Sequence, residues 1–202
     1  MIDQSFWKGR RVLITGHTGF KGGWLSLWLT QLGAKVFGYA IDSPSTPCFY
    51  EEAKVSSSLE QSINGDIRDA GLFAKAVSDV SPEIVIHMAA QSLVKESYTD
   101  PSSTYSTNIM GTVNLFEAVR KTPSVKVILN ITSDKCYENN ESNLGYSEAD
   151  PMGGYDPYSS SKGCAELISS AYRKSFFQQE GIAIATARAG NVIGGGDWAK
   201  NR

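Results

Sequence analysis

The sequence predicts an α/β fold, a doubly wound parallel sheet with helices on both faces. Short runs of Val, Ile and Leu recur along the chain without the alternation of a half-exposed strand. Between them lie longer segments whose apolar residues recur at helical spacing. That alternation requires crossover connections, and right-handed crossovers place helices on both faces of the sheet. The 202 residues, 41% of them hydrophobic, suffice for one domain with its own core.

The elements follow in order. The N-terminal residues run straight into Arg11–Thr15 (RVLIT), a buried strand ended by Gly16. Phe20 to Leu32 carries Trp24, Leu25, Leu27, Trp28, Leu29 and Leu32 at helical spacing, and Gly33 ends it. Lys35 to Ile41 is the second strand and Leu59 to Asn64 the third. A helix from Asp69 to Asp79 stops near Pro82 and leads into the strand Glu83 to Met88. Tyr105 to Lys121 is a long amphipathic helix, Val125 to Ile131 the fifth strand, Tyr158 to Gln179 a second long helix and Ile182 to Ala187 the sixth strand. Two loops are irregular, Asp42 to Pro47 and the polar stretch Asn139 to Asp156, which has the character of a substrate-side loop.

Charge and composition exclude several classes. A net charge of −2 leaves no basic excess for nucleic acid. No apolar run approaches the ~20 residues of a membrane span, and no signal-peptide core precedes the first strand. Cys48, Cys136 and Cys164 are odd in number and far apart, as free thiols are in a reducing compartment. The expected location is therefore the cytoplasm. His17 and His87 lack partners at metal-ligand spacing, so no metal is expected and neither is assigned a catalytic role. His87 reads as a satisfied core residue at the end of its strand.

The first strand opens into Gly16-His17-Thr18-Gly19-Phe20-Lys21-Gly22. Glycines there allow close backbone approach to a pyrophosphate, and the following helix points its N-terminus at the negative charge. Asp42 follows the second strand about 20 residues later, where a carboxylate accepts from a ribose 2′-hydroxyl and repels a 2′-phosphate. This Rossmann-type arrangement favours NAD over NADP. Asp66 is placed to reach the adenine amino group, with Ile67 packing on the ring, while Asp69 reads as a helix cap. Ala89, Ala90 and Gln91 follow the fourth strand, where small residues leave room for a dinucleotide.

Tyr158 and Lys162 form a Y-x-x-x-K at a predicted helix start, on one helix face. A nearby ammonium favours the tyrosinate, which takes a proton from a sugar hydroxyl while hydride leaves for the nicotinamide. Ser133, in Thr132-Ser133-Asp134-Lys135 after the fifth strand, sits at the carboxyl edge where ligands bind and can donate to the reacting oxygen.

Taken together, these segments resemble the extended short-chain dehydrogenase/reductases, and within them the CDP-glucose 4,6-dehydratases. The resemblance rests on GHTGFKGGWLSLWL from Gly16, HMAAQSLV from His87, TSDKCY from Thr132, DPYSSSKGCAE from Asp156 and RAGNVIGGGDWA from Arg188. It implies a redox-neutral loss of water from the sugar of CDP-glucose through bound NAD. Ser133, Tyr158 and Lys162 would serve the oxidation and Asp134 would be the acid for the C6 hydroxyl. Lys135 would be either the C5 base, its pKa depressed by burial or by Lys162, or a substrate-positioning group. The resemblance adds Asn108 to the cofactor contacts, Gln91, Ser133 and Asn191 to the substrate contacts, and a homodimer or homotetramer built on the two long helices. It also implies a smaller substrate domain, largely missing here, so residues 1–202 are the NAD(P)-binding part with the catalytic residues. Epimerases and reductases of the group usually lack the acid–base pair after the serine, whereas an Asp-Lys pair also occurs in dehydratases of UDP-N-acetylglucosamine. A non-catalytic NAD-binding relative would tend to lose Tyr158 or Lys162, and both are present.

Overall fold

The computed structural model describes residues 3–43, 45–141 and 144–199. Along the chain run α1 (Gln4–Trp7), β1 (Arg11–Thr15), α2 (Phe20–Gln31), β2 (Lys35–Ala40), α3 (Phe49–Glu52), β3 (Gln61–Asn64), α4 (Ala70–Val80), β4 (Ile84–His87), α5 (Val94–Thr99), α6 (Pro101–Tyr105), α7 (Gly111–Arg120), β5 (Val127–Ile131), α8 (Pro157–Tyr172), α9 (Gln178–Glu180) and β6 (Ala183–Ala187). The strands form one sheet in the order β3-β2-β1-β4-β5-β6, and every pairing is parallel. Strand order reverses between β1 and β4, which opens a crevice at the carboxyl ends of the strands.

Successive residues of β1 face opposite sides of the sheet, and each side has its own core. Val12 and Ile14 pack with Leu29, Val36, Ile84 and Ile86 under α2. Leu13 joins Phe73, Val77, Leu115, Phe116, Val119, Ile128 and Phe177 beneath α4, α7 and α8. Burying each such side chain stabilises the fold by roughly 1.5–3 kcal/mol, so helices on both faces are held by apolar contact rather than by propensity.

The expected strands are all present, the first with its expected bounds and the other five one or two residues shorter. The N-terminus differs from expectation: the Asp3 carboxylate accepts from the Ser5 amide and starts α1 before the first strand. The helix expected from Tyr105 begins earlier, at Pro101, where the Asp100 side chain caps α6. It reaches α7 through a π-turn at Ser106–Met110. A second π-turn, Arg173–Phe177, joins α8 to α9. α4 stops because Ser81 turns left-handed at φ 46°, one residue before Pro82. Within the two irregular loops, Pro44, Ser142 and Asn143 lie outside the described residues.

Candidate active site

The glycine turn is built by exclusion of side chains. Gly16 lies at φ +78°, and a Cβ there would sit 2.8 Å from the Ala89 nitrogen. A Cβ on Gly22 would overlap the Gly16 carbonyl oxygen and sit 2.8 Å from the His17 Cα. Gly19 differs: its φ of −77° suits any residue, and its Cβ direction meets only the Gly16 oxygen, at 3.4 Å. Gly19 also caps α2 without a side-chain hydrogen bond, whereas Asp69 caps α4 and Asp156 caps α8. No side chain of the cap residue covers the start of α2, and the helix dipole there favours an anion.

Beyond the turn lies a cavity of about 390 Å³ lined by Thr18, Asp42, Asn64, Tyr50 and His17. The Asp42 carboxylate accepts from the Asn64 amide at 2.5 Å, and the Thr18 hydroxyl donates to the Ile41 carbonyl at 3.0 Å. His17, fully buried, bonds the Ser62 hydroxyl at 2.7 Å and meets the Tyr50 ring edge-on. Burial pushes its pKa down to about 4, so it is a neutral spacer. Gly38 accommodates it, because a Cβ there would strike the imidazole.

Other expected cofactor residues are engaged within the protein. Arg68 binds the Asp66 carboxylate through Nε and Nη2 and holds it below the usual carboxylate range. Ile67 is buried in the core against Gly111. The Ala89 amide donates to the Thr15 hydroxyl, and Ala90 beside it is half-buried. Gln91 turns its amide inward: it donates to Thr104 and to the Leu93 carbonyl, and accepts from the Leu93 amide. Asn108, inside the π-turn, accepts from the Gln91 amide and donates to the Gln91 carbonyl and the Ser161 hydroxyl. These two residues join β4's exit to α8. His87 is buried between the Thr15 and Thr112 hydroxyls, at 2.7 and 3.4 Å, and burial lowers its pKa to about 3. It is the satisfied core histidine that its position suggested.

A cavity of about 670 Å³ opens at the carboxyl edge between β1, β4, β5 and β6. Ser133, Asp134, Lys135, Tyr158 and Asn191 line it together, with Phe20 and Lys21 from the first turn of α2. Sequence-distant groups thus meet in one space. The Ser133 hydroxyl donates to Asp134 Oδ1 at 3.0 Å, and the Asp134 amide donates to the Ala189 carbonyl, pinning the turn to the exit of β6. Tyr158 follows Asp156 and Pro157, a cap and an N1 proline that fix where α8 starts.

One turn further, Lys162 is buried and donates to the Ile131 carbonyl at 3.3 Å. Burial, with the Lys21 charge second, pushes its pKa down to about 8. Lys135 is exposed at the cavity rim. The burial expected from the sequence at Lys135 is found at Lys162, because Lys135 sits on a turn outside the helix–sheet contact. A hydroxyl, a phenol, a carboxylate and an amine on one cavity wall can move protons at neighbouring carbons of one bound molecule.

The sequence reading did not anticipate Lys21, Lys95 and the Ser92–Val94 segment in the lining, nor Glu166 and Arg188 behind it. Glu166 was detectable, since it follows Lys162 by four residues on the same helix face. Among the described residues no helix is long and apolar enough to cross a membrane.

A family model described as GDP-mannose 4,6 dehydratase matches residues 13–193. The chain belongs to that family. Among relatives of this dehydratase family, a Salmonella typhimurium CDP-glucose 4,6-dehydratase is 58% identical over the whole chain. The chain spans 57% of that relative's length. Two solved structures share the fold at 25% identity and a TM-score of 0.75. One is a double mutant of the Streptomyces venezuelae dTDP-glucose 4,6-dehydratase DesIV with NAD and DAU bound, matched over 88% of this chain and 55% of that one. The other is UDP-glucose 4-epimerase from Brucella ovis in complex with NAD, matched over 91% and 52%.

Proposed function

We propose that this chain is the dinucleotide-binding and catalytic part of a CDP-glucose 4,6-dehydratase, a hydro-lyase that forms CDP-4-keto-6-deoxyglucose and water. The observation that carries this is the Ser133-Asp134-Lys135 turn, which shares one cavity with Tyr158 in a chain 58% identical to a dehydratase of that name. Residues 1–202 are taken as one domain, working in the cytoplasm.

The residues present fit NAD. The uncapped start of α2 suits a pyrophosphate, and the Gly16–Gly22 contact holds that helix end against the turn. Asp42 beside its cavity suits an unphosphorylated ribose. NAD would accept a hydride from C4 and return one to C6, leaving the reaction redox-neutral.

In the proposed roles, Tyr158 takes the C4 hydroxyl proton while Ser133 hydrogen-bonds the same oxygen. Lys162 favours the tyrosinate by its charge. Once C4 is a ketone, the C5 proton is acidic, and Lys135 at the cavity rim would serve either as the C5 base or to position the substrate. Asp134 protonates the departing C6 hydroxyl, and Asn191 contacts the sugar. Gln91 and Asn108 hold the wall behind this site, which their inward hydrogen bonds support better than ligand contact. Exposed Tyr105 and Met110 on the α6–α7 run and Leu167 on α8 offer apolar side chains to a second copy of the protein.

The test is a product assay. Full-length protein would be incubated with NAD and, separately, CDP-glucose, dTDP-glucose and UDP-N-acetylglucosamine. Loss of one water from CDP-glucose alone, abolished in Tyr158→Phe, is the expected result. Turnover without water loss would move the reading to an epimerase or reductase, and NAD binding without any turnover would make the chain a non-catalytic module.

A further inference from the structure

A carboxylate buried behind the cavity has no part in the chemistry above. Glu166 is 5% exposed, on the α8 face that carries Tyr158 and Lys162. It accepts from the Thr132 hydroxyl at 2.5 Å, from the Thr186 hydroxyl at 2.9 Å and from Arg188 Nη2 at 2.9 Å. Thr132 is the residue immediately before Ser133, and Thr186 and Arg188 lie at the end of β6 and just past it. One side chain therefore ties α8 to the end of β5, which carries the Ser133–Lys135 turn, and to the end of β6, against which the turn is pinned. Arg188 extends the tie: its Nη1 donates to the Tyr137 hydroxyl at 2.8 Å, and Tyr137 stacks on Tyr146 at 4.6 Å. The loop after the turn is thereby anchored to the same carboxylate.

We propose that Glu166 is a positioning residue, which sets the Ser133–Lys135 turn against Tyr158 and Lys162 through Thr132 and Arg188. This rests on the dehydratase reading above. Buried ion pairs add little net stability over well-packed apolar side chains. A carboxylate that binds donors from two strands, one residue from the reacting turn, has geometry as its physical effect. Burial drives its pKa up, yet Arg188 and the two hydroxyls outweigh burial and hold the group ionised below its usual range.

The experiment uses the full-length protein with CDP-glucose and NAD, comparing Glu166→Gln and Thr132→Val with the unmodified enzyme. Misplacement of reacting groups by 1 Å can lower a rate about a hundredfold, so kcat is expected to fall by at least about tenfold in both variants. Neither side chain lines the cavity, so KM for CDP-glucose and the NAD dissociation constant are expected to stay within about twofold. Thr132→Val keeps the Glu166–Arg188 pair and strands no charge, so it reports on position even where Glu166→Gln folds poorly. A kcat within about twofold of the unmodified enzyme in Thr132→Val, or a loss confined to KM, overturns the proposal while the dehydratase reading stands. An unmodified enzyme that binds NAD but removes no water from CDP-glucose overturns that reading and this inference with it.

Discussion

Gly22 and Gly19 separate what the turn needs for folding from what it needs for a ligand. In Gly22→Ala the new methyl would lie 2.8 Å from the Gly16 carbonyl carbon and the His17 Cα, against 3.4 Å for ordinary contact. Restoring contact moves backbone by at least about 0.6 Å, because no flexible side chain is there to yield. Overpacking of that kind costs about 1–3 kcal/mol, which lowers Tm by about 3–10 °C in a domain of this size. The loop and the start of α2 shift with it, so NAD affinity is expected to fall as well. In Gly19→Ala the methyl fits at 3.4 Å and φ is already −77°, so Tm is expected to change by less than about 2 °C. That methyl stands at the open end of α2, where a pyrophosphate must approach the backbone, and NAD affinity is expected to drop at least about tenfold. Thermal melts without ligand and calorimetric NAD titration measure the two effects. A Gly22→Ala protein that melts with the wild type would refute the packing argument. A Gly19→Ala protein that binds NAD normally would remove α2's start from the cofactor site.

Lys162 is protonated to about pH 8 when folded, against an ordinary value of 10.5. Between those values the unfolded chain holds a proton that the folded chain has lost, so stability rises with pH. Relative to Lys162→Met, wild-type stability should therefore climb by about 3 kcal/mol across that window in denaturant melts, and a flat difference would contradict the burial. Removing Arg188 would strand the buried Glu166 carboxylate and should destabilise by about 3–5 kcal/mol. The double variant Glu166→Gln, Arg188→Met should recover much of that loss in the same melts, because no charge is stranded. Phe116, fully buried against the Tyr172 and Phe177 rings, should cost about 3–5 kcal/mol when changed to Ala, and a smaller loss would mean that the α7–α8 seam collapses around the gap.

Continuous apolar runs make buried parallel strands visible in sequence, so the six strands and their order along the chain were legible from segments such as RVLIT and EIVIHM. The glycine turn and Ser133 were legible because each follows a strand end, and Tyr158 and Lys162 by their Y-x-x-x-K spacing at a helix start; the structure brings Ser133 and Tyr158 to one cavity. α3 and α5 escaped notice because four and six residues are too few to show a helical period. The π-turns at Ser106–Met110 and Arg173–Phe177 were hidden because one extra residue per turn leaves the local apolar spacing nearly unchanged. Gln91 and Asn108 were expected to contact a ligand; in the structure the Asn108 side chain bonds the Gln91 backbone and the Gln91 side chain bonds Thr104 and Leu93, because a side-chain amide can satisfy backbone or ligand alike. The burial expected at Lys135 was misplaced for a related reason. Burial depends on which side of a helix meets the sheet, and Lys162 is on that side while Lys135 is on a turn.

Helix α8 works as a ruler. Tyr158, Lys162, Glu166 and Ser169 lie along one of its faces, and three of them bond the β5 end, at Ile131, Thr132 and Asn130. A slip of one residue would rotate that face by about 100° and withdraw phenol, ammonium, carboxylate and strand anchor together. A misassembled molecule would then be inert rather than half-competent. For a protein proposed to hold a ketone sugar and a reduced nicotinamide side by side, all-or-none assembly guards against releasing the intermediate.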